Sequence, residues 1–500
     1  MEKLTKTDFE GQPDFLGNAS RRVFVKGLGF VGASLVLATL GGCDKIAEAI
    51  KNRPLRRRLR TGSAAVDADI ATYRSAVQAM KALPAADKRN WVVEANIHGT
   101  AAGFNMCEHG TDHFFDWHRA YLFWFEKKCQ TLTGNAKFGL PYWNWNQNPA
   151  IHPAYLDPAS VLFLPRTRTT MGTNSVVSTP TLDGIFQDTN FFTFSSQLEG
   201  TPHNNVHTYI GGTLGGTASA NDPLFWNHHC MIDYCWYKWN VEMGRQNTND
   251  QTWLGKVNGQ FADANQNPAT STAAVTILMP LLAYRYESSA IGSNPAKAEV
   301  TAVKEYRALE ARLKAGADIH FIVKQRTRLA DQASASAGKP LMLRAPFTAA
   351  NFAGILENRN ATERVFVGVE SANVPRPSDL FVRVFVNLPE ASARTPDSDP
   401  HFAGSFAFFG NPAEGHAGHA AASGRPRFLV DITATLERLR KTGGMPADAP
   451  VTVQLVPTPF EAPPAGTQTA AAAPAAPAEL TLSGVDILTT PVIVSAPAGR

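Results

Sequence analysis

Residues 114–132 read FFDWHRAYLFWFEKKCQTL, and this stretch decides how the first half of the chain folds. Aromatic and aliphatic side chains occupy most faces of the helix it would form, so that helix is predicted to be buried among others. A second stretch of the same character, FWNHHCMIDYCWYKWNV, covers residues 225–241. Amphipathic patterns at residues 70–83 and 88–97 predict two further helices, and the second ends at His98. Residues 151–197 are rich in Gly, Thr and Asn and are predicted to be a long connection.

The second half of the chain has a different pattern. After a charged helix predicted at residues 298–313, apolar and polar residues alternate as they do in half-buried strands. The predicted strands cover residues 341–345, 364–369, 380–388, 401–409, 428–432, 451–456 and 479–488. Short strands at such spacing favour a β-sandwich-like domain.

The chain is therefore predicted to be an α+β protein of several domains. The predicted segments are an export signal at 1–43, a basic linker at 44–66, a mainly α-helical domain at 67–295, a helical linker at 296–340 and a β-rich domain at 341–500.

The N-terminal segment is predicted to direct export. The sequence SRRVFVK at residues 20–26 resembles a twin-arginine signal, and an apolar run follows at residues 27–42. That run is too short and too rich in glycine to span a bilayer comfortably. It ends in LGGC, which resembles a bacterial lipobox with Cys43 as the lipidated residue; a plain signal peptide cut elsewhere is the alternative. We expect a protein of the periplasm or cell envelope that is anchored to a membrane by a lipid.

Composition restricts the classes of function. The hydrophobic fraction is 44%, the charged fraction 18% and the formal net charge +4, which are ordinary values for a globular protein. Much of the basic excess lies in RPLRRRLR at residues 53–60, interpreted as a solvated or membrane-proximal stretch. Because basic residues are not spread over a folded domain with interleaved aromatic residues, nucleic-acid binding is not expected. The remaining cysteines fit neither a disulfide scaffold nor a zinc ribbon; they are Cys107, Cys129, Cys230 and Cys235.

Histidines concentrate in the aromatic-rich segments. His203 and His207 are four residues apart on a helix that Thr201 and Pro202 are predicted to open, so both project from one face. The other candidates are His98, His109, His118 and one of the adjacent pair His228 and His229. A lone histidine on an apolar face is more often a core residue, but six on four such segments indicate a metal site, because unpaired buried imidazoles are costly.

The donor chemistry favours copper. Carboxylate-bridged di-iron bundles need Glu-x-x-His motifs, which these helices lack. Hydrolytic zinc sites usually combine His with Asp, Glu or Cys. Neutral imidazoles in a pocket walled by Phe and Trp suit copper, here two ions with three imidazoles each.

Three motifs resemble the copper A and copper B motifs of the tyrosinase/polyphenol oxidase family. They are HGTDHFFDWHR at residues 109–119, TPHNNVH at 201–207 and DPLFWNHHCMIDYCW at 222–236. Three further motifs are similar to that family, particularly to bacterial members with a C-terminal domain: PYWNW at 141–145, YRY at 284–286 and DPHFAGSFAFF at 399–409. The resemblance implies a four-helix bundle that holds two copper ions, and a type-3 copper oxidase.

Such an enzyme hydroxylates monophenols at the ortho position and oxidises o-diphenols to o-quinones with dioxygen. The alternatives are a catechol oxidase without monophenolase activity and an oxygen carrier similar to haemocyanin. The resemblance implies the following ligands: His98, His109 and His118 for copper A, and His203, His207 and His229 for copper B. His228 is then a core group, and His113 offers a rival pairing with His109.

The resemblance also implies roles for residues beside the ligands. Cys107 and His109 match a Cys-x-His form in which the cysteine sulfur is bonded to a ring carbon of the histidine; a free buried cysteine is the alternative. Glu199 and Asn204 would hold a water that takes the proton from an incoming phenol, whose pKa lies near that of Tyr, about 10. An exposed surface carboxylate is the alternative for Glu199.

Further positions carry expectations from the family. Gly215 and Gly216 stand where the family often has a bulky gate residue, which implies an open mouth. The family usually has Arg where Tyr234 follows Asp233, yet Asp233 is still expected to pair with Arg119. The arginines at residues 56–58 are expected to pack on Tyr284 and Tyr286.

The C-terminal domain is expected to shield the copper pocket with a side chain that the sequence does not identify. His416 and His419 could capture copper transiently, with a solvated loop as the alternative.

Overall fold

The computed structural model describes residues 53–245, 247–248, 250–287, 318–321, 325–336, 339–349, 364–373, 380–409, 428–460, 480–490 and 492–495. Within them the first half is mainly helical and the second half is rich in strands, as the sequence predicts. The signal segment with Cys43, the helix predicted at 298–313, and His416 and His419 lie outside the described residues. No helix in the described part of the chain has the length and hydropathy needed to cross a membrane. The predicted domain boundaries stay predictions.

The helical half is built from helices with short strands between them. The α-helices are Ala64–Ala82 (α1), Trp91–His98 (α2), Phe114–Thr133 (α3), Thr179–Gln187 (α4), Phe191–Leu198 (α5), Asn204–Ile210 (α6), Pro223–Tyr237 (α7), Gln251–Gly255 (α8) and Ala273–Leu282 (α9). The strands are Leu55–Arg56 (β1), Gly99–Thr100 (β2), Gly103–Phe104 (β3), Val257–Ala262 (β4), Pro268–Thr272 (β5) and Arg285–Tyr286 (β6).

Helices α1, α2, α3 and α7 share one apolar core, which accounts for their aromatic sequences. Phe125 of α3 stacks on Trp226 of α7 with 3.6 Å between the ring centroids, and Tyr73 of α1 meets Phe125 edge-on at 6.2 Å. The four-helix bundle stays a prediction. The prediction of an unbroken connection over residues 151–197 was wrong, because Ser178 and Asn190 accept backbone N–H groups as caps and begin α4 and α5.

The segment that precedes α6 differs from the prediction. Thr201 and Pro202 do not begin a helix; the chain is helical from Phe191 through Ile210 and widens into a π-helical turn at Glu199–His203. Pro202 has no N–H to donate, and the wider turn accommodates it inside the helix. Such turns often occur at functional sites. Here the turn brings Glu199 onto the same continuous helical segment as His203.

The basic run at residues 53–60 is not a solvated stretch, so that part of the interpretation was wrong, whereas its membrane-proximal alternative stays a prediction. Arg56 is fully buried and donates to Glu126 at 2.9 Å and to Asp233 at 3.0 Å. Its guanidinium lies 3.5 Å from the ring centroid of Tyr284, and β1 pairs in parallel with β6. The expected packing of this arginine on the tyrosine motif is confirmed. These contacts join the two ends of the helical half.

The C-terminal half contains two sheets that face each other across one apolar core. Its strands are Asp318–Phe321 (β7), Gln325–Ala330 (β8), Ala333–Ala335 (β9), Leu341–Thr348 (β10), Arg364–Asn373 (β11), Leu380–Val386 (β12), Phe402–Ala407 (β13), Phe428–Asp431 (β14), Pro450–Pro459 (β15), Leu480–Thr490 (β16) and Val492–Ser495 (β17). One sheet has the order β10-β15-β12-β13, the other β14-β11-β16-β8 with β9 also paired to β16.

Val367 of β11 and Val384 of β12 lie in the core that both sheets share, which agrees with the β-sandwich-like prediction. A helix at Thr433–Thr442 (α10), the strand pair β7–β17, and β8 and β9 were not predicted.

Candidate metal centre

The six candidate ligands come from six pieces of the helical half. His98 is the last residue of α2, His109 lies in the loop before α3, and His118 lies within α3. His203 ends the π-helical turn, and the remaining two lie in α6 and α7: His207 and His229. Five of these side chains are buried and His109 is partly buried. The helices that carry these residues pack around a common centre and so bring together positions that are distant in the sequence.

The rings form two adjoining groups of three. The centroids of His98, His109 and His118 lie 4.8–5.7 Å apart. Those of His203, His207 and His229 lie 4.6–5.3 Å apart.

The two groups meet where His118 stacks on His229 at 4.5 Å and where His109 faces His203 at 5.5 Å. The structure thus brings all six predicted residues together.

Hydrogen bonds fix the tautomers of four of the rings. The Nδ1 atoms of His98, His118 and His207 face the backbone carbonyls of Thr217, Phe114 and Leu214 at 3.3, 2.7 and 2.7 Å. The Nδ1 of His203 faces the side-chain oxygen of Asn204 at 2.8 Å. Because a carbonyl oxygen only accepts, each Nδ1 carries the proton, and the lone pair available for a metal ion is on Nε2. These are the hydrogen bonds that usually orient metal-binding imidazoles.

The Nε2 atoms are buried without hydrogen-bond partners at His98, His109, His118 and His203. Orphaned buried acceptors are rare in folded proteins, and a metal ion would satisfy them. Burial lowers the pKa of His118 to about 3 and lowers the pKa values of the other five rings well below the usual range. All six are therefore neutral near pH 7, the form in which imidazole binds metals.

His228 lies close to the same centre but is held differently. The potential donor atoms of His203, His207, His228 and His229 all lie within 4.8 Å of one another, so distance alone does not separate the adjacent pair. Trp145, however, donates its indole N–H to Nδ1 of His228 at 3.1 Å. By contrast, Nε2 of His229 lies 3.2 Å from Nε2 of His207, on the ligand side of that ring. Hydrogen bonding thus distinguishes two residues that the sequence spacing leaves equivalent.

His113 does not join the cluster. Its ring pairs with Asp116 at 3.2 Å and stacks on Trp253 with 5.6 Å between centroids. The rival pairing of His113 with His109 has no geometric support.

Cys107 lies against the ring of His109. Its sulfur is 3.2 Å from Nδ1 of that histidine, and the side chain is buried. Burial raises the pKa of the Cys107 thiol well above its usual value, so an unmodified sulfur stays protonated. The contact suits both a thiol hydrogen bond and the predicted thioether, which stays a prediction.

Glu199 and Asn204 are buried beside the two groups of histidines. One carboxylate oxygen of Glu199 accepts the backbone N–H of Gly110 at 2.6 Å, next to His109. An exposed surface position for Glu199 is therefore wrong. The side-chain oxygen of Asn204 accepts the Nδ1–H of His203, and its side-chain nitrogen donates to the Ala407 carbonyl at 2.8 Å.

Asp233 anchors the helices behind the site. It accepts from Arg119 at 2.5 Å and from the hydroxyls of Tyr284 at 2.7 Å and Tyr286 at 2.5 Å, in addition to Arg56. Burial alone would raise the pKa of Asp233, but the two arginines and the hydroxyls bring it below the usual value. The expected pairing with Arg119 is confirmed, and two arginines distant in sequence surround this carboxylate.

The C-terminal half covers the site with Phe409, the residue that the sequence did not identify. This ring is 1% exposed and stacks on His207 with 3.9 Å between centroids at an angle of 18°. It also meets His109 and His203 at 5.4 Å each. The preceding strand β13 accepts hydrogen bonds from Asn204 and, through the Ser405 carbonyl, from the Thr201 hydroxyl.

Gly215 lies beside the backbone of His207, and Gly216 follows it. A Cβ on Gly215 would come within 3.3 Å of the His207 carbonyl, whereas one on Gly216 would meet nothing closer than 3.9 Å. Gly216 thus leaves room where the family often has a bulky residue.

Comparison with known proteins places this site in a family. Residues 79–183 and 153–242 match the common central domain of tyrosinase, and residues 323–465 match a domain of unknown function. The tyrosinase HcTyr1 of Hahella sp. (strain CCB-MM4) is 26% identical over 461 residues, which cover 78% of this chain and 93% of that protein. The chloroplastic polyphenol oxidase A1 of Vicia faba is 25% identical over 480 residues, covering 81% and 75%.

Two solved structures share the fold over most of this chain. A latent aurone synthase (polyphenol oxidase) has a TM-score of 0.59 at 19% identity and covers 88% of this chain and 90% of its own. Latent apple tyrosinase has a TM-score of 0.57 at 20% identity and covers 87% and 97%. The histidine-only donor set fits the copper that such proteins hold. Residues 79–242 therefore carry a domain similar to the common central domain of tyrosinase, and the cofactor is a pair of copper ions.

Proposed function

We propose that this protein is a tyrosinase, which hydroxylates monophenols at the ortho position and oxidises o-diphenols to o-quinones with dioxygen. The observation that carries the proposal is the convergence of six neutral imidazoles in one buried aromatic pocket. The proposed ligands are His98, His109 and His118 for copper A, and His203, His207 and His229 for copper B. The two copper ions supply the one-electron redox steps that couple reduction of dioxygen to oxidation of the phenol.

The position of Phe409 supports a proposed binding place for the substrate ring. Its phenyl ring lies flat on His207 in a pocket that also includes Phe104 and Phe225. A phenol differs from this side chain chiefly by its hydroxyl group, so it fits the same stacked position with the hydroxyl toward the histidines. The chain is therefore proposed to be latent, with substrate entry requiring that Phe409 leave the pocket.

Glu199 and Asn204 are proposed to prepare a monophenol for reaction. A phenol has a pKa of about 10 and must lose its proton before its oxygen binds a metal. The carboxylate of Glu199 lies beside His109 and the amide of Asn204 beside His203, so the two could hold a water between the groups of histidines. That water would pass the phenol proton to the carboxylate. In the covered form one N–H of the Asn204 amide donates to Ala407, which leaves its second N–H for such a water.

A catechol oxidase is the second candidate. Glu199 and Asn204 both hold backbone partners in the covered form, and a protein that kept the Gly110 contact when open would have a weaker base for monophenols. The oxygen-carrier alternative differs from both because it predicts no turnover.

Metal analysis together with oxygen uptake tests these proposals. The full chain and a chain opened by limited proteolysis would be assayed with a monophenol and with a catechol. We expect two copper ions per chain, little uptake by the full chain, and uptake with both substrates after opening. Oxygen uptake with the catechol alone would indicate a catechol oxidase. Copper binding without oxygen uptake would indicate an oxygen carrier. A chain that binds no copper under loading conditions would refute all three.

Export by the twin-arginine route and lipid anchoring at Cys43 are proposed from the N-terminal motifs alone. Replacing Arg21 and Arg22 with Lys should retain the protein in the cytoplasm. Cys43→Ser should shift the exported protein from the membrane fraction to the soluble fraction. An unchanged distribution would contradict the corresponding signal.

A further inference from the structure

A buried pair of side chains adjoins the proposed copper B ligands without a role in the proposed reaction. Trp145 and His228 are both fully buried, and their side chains are joined by the 3.1 Å hydrogen bond between indole Nε1 and imidazole Nδ1. Trp145 lies in the loop after α3, whereas His228 lies in α7, one residue before His229. The contact therefore ties a loop to the helix that carries a proposed ligand.

The direction of this hydrogen bond determines what His228 can do. An indole nitrogen only donates, so Nδ1 of His228 accepts and the ring proton must be on Nε2. In this neutral tautomer Trp145 uses the lone pair of Nδ1, and the proton lies on Nε2, which has no hydrogen-bond partner of its own among the described residues. Neither nitrogen is then available to a metal ion.

The His228 ring nevertheless touches all three proposed copper B ligands. It lies nearly parallel to His203 at 5.4 Å and 19°, and edge-on to His207 at 4.7 Å and 83°. Its centroid is 5.3 Å from that of His229. A planar group of fixed orientation at this place restricts the rotation of the neighbouring rings.

We propose that Trp145 and His228 form a positioning pair for copper B. The indole N–H fixes the tautomer and orientation of His228, and the His228 ring holds His203 and His207 in place without binding metal. The inference rests on the proposed ligand set. A general packing role would affect both copper sites, whereas the proposed role affects copper B alone. The proposed role also depends on the ring of His228 and not on metal binding by its nitrogens.

Copper binding by the full-length protein tests the pair. The copper content and the affinities of the two sites would be measured by titration against a copper(I) chelator. His228→Ala removes the ring and should weaken copper B about 10–100-fold, the usual range for residues that orient ligands, with copper A unchanged. The double variant His228→Phe/Trp145→Phe keeps a planar ring and removes both polar partners together, so both sites should bind nearly as in the unaltered chain.

Trp145→Phe alone tests the tautomer. It leaves His228 without its donor and should weaken copper B, whereas the matched control Trp143→Phe should not. Trp143 is also buried and donates its indole N–H, but to the Asn148 carbonyl at 2.9 Å and not to a histidine. Copper A occupancy reports in every variant that the helical half remains folded.

The possible outcomes separate the ideas. If the double variant loses copper B as His228→Ala does, His228 supplies a nitrogen and the inference is wrong. If His228→Ala binds both ions normally, or if Trp143→Phe and Trp145→Phe behave alike, the positioning role is also wrong. All of these results presuppose an unaltered chain that binds two copper ions, and failure of that chain to bind copper would refute the proposed function instead.

Discussion

Phe409→Ala should convert the full-length protein from a latent form into one that oxidises catechol. The substitution removes the ring that stacks on His207 and contacts His109 and His203. It leaves a space of the size and shape of a phenyl ring at the position where we expect the substrate ring to bind. Dioxygen and a small catechol can then reach the histidines even while β13 stays in place.

The magnitude follows from the burial of the ring. Truncating a fully buried Phe to Ala costs about 3–5 kcal/mol. Phe409 is buried between the two halves, so its truncation destabilises the covered form relative to the open form by about this free energy. At about 1.4 kcal/mol per tenfold change, the equilibrium shifts toward opening by a factor of roughly 10² to 4 × 10³. The contacts of β13 with Asn204 and Thr201 persist, so we expect the gain in catechol oxidation to lie between tenfold and that limit.

The assay is the initial rate of o-quinone formation by full-length protein loaded with copper. Phe409→Leu keeps an apolar group in the pocket and should remain largely latent. Phe402→Ala serves as the control, because it removes a ring from β13, the strand that precedes Phe409, and that ring packs on Phe385 within the C-terminal half. Should Phe409→Ala remain as inactive as the unaltered chain while binding two copper ions, Phe409 is not the blocking group. Equal activation by Phe402→Ala would assign the effect to loosening of the whole domain.

Four further predictions concern the site and its surroundings. His207→Ala should leave one copper ion per chain or fewer and abolish quinone formation, as metal analysis and oxygen uptake would show. Glu199→Gln should slow monophenol hydroxylation at least tenfold more than diphenol oxidation, since only the former needs a base. If Cys107 is bonded to His109, the intact mass should fall short of the sequence mass by two hydrogen atoms, and Cys107→Ser should restore agreement. Burial raises the pKa of Asp188 to about 7, so this carboxylate should make the free energy of unfolding fall as the pH rises from about 4 to 7; Asp188→Asn should lessen that fall, with a gain of about 2–4 kcal/mol above pH 7.

Specific results would contradict each of these predictions. Retained activity in His207→Ala removes that residue from the ligand set. Equal loss of both activities in Glu199→Gln indicates that the carboxylate only fixes the loop through Gly110. A mass that equals the sequence mass leaves Cys107 as a free thiol, and an identical pH profile for Asp188→Asn shows that this carboxylate does not titrate in the folded protein.

Much of the architecture could be predicted because local sequence and tertiary environment agree. Helices α3 and α7 are apolar on most faces and are buried on most faces, and the strands of the C-terminal sheets alternate as half-buried strands do. The π-helical turn could not be predicted in this way. Thr201 and Pro202 form a typical helix start, but in the folded chain the helical segment continues from α5 through them into α6.

Long-range contacts limited what the sequence could show about the site. The arginine-rich run resembles a solvated segment until Glu126 and Asp233 are brought to it from 70 and 177 residues away. Phe409 contacts its histidine partners from 202 residues or more along the chain. It ends the DPHFAGSFAFF motif, but nothing in that motif shows which of the 29 phenylalanines enters the pocket. The choice between His228 and His229 likewise depends on Trp145, which the sequence places far from both.

The same physical constraint explains both the histidine cluster and the rigid network around it. Before metal binds, at least four imidazole nitrogens are buried without partners, and each such group costs about 1–3 kcal/mol. Rotation of a ring toward any nearby donor would relieve that cost and destroy the site. The hydrogen bonds on Nδ1 prevent this rotation, and the buried contacts of Asp233 with Arg56 and Arg119 fix the helices that carry the rings. Copper binding then recovers the cost directly, so we expect the metal-loaded chain to unfold at a higher temperature than the metal-free chain.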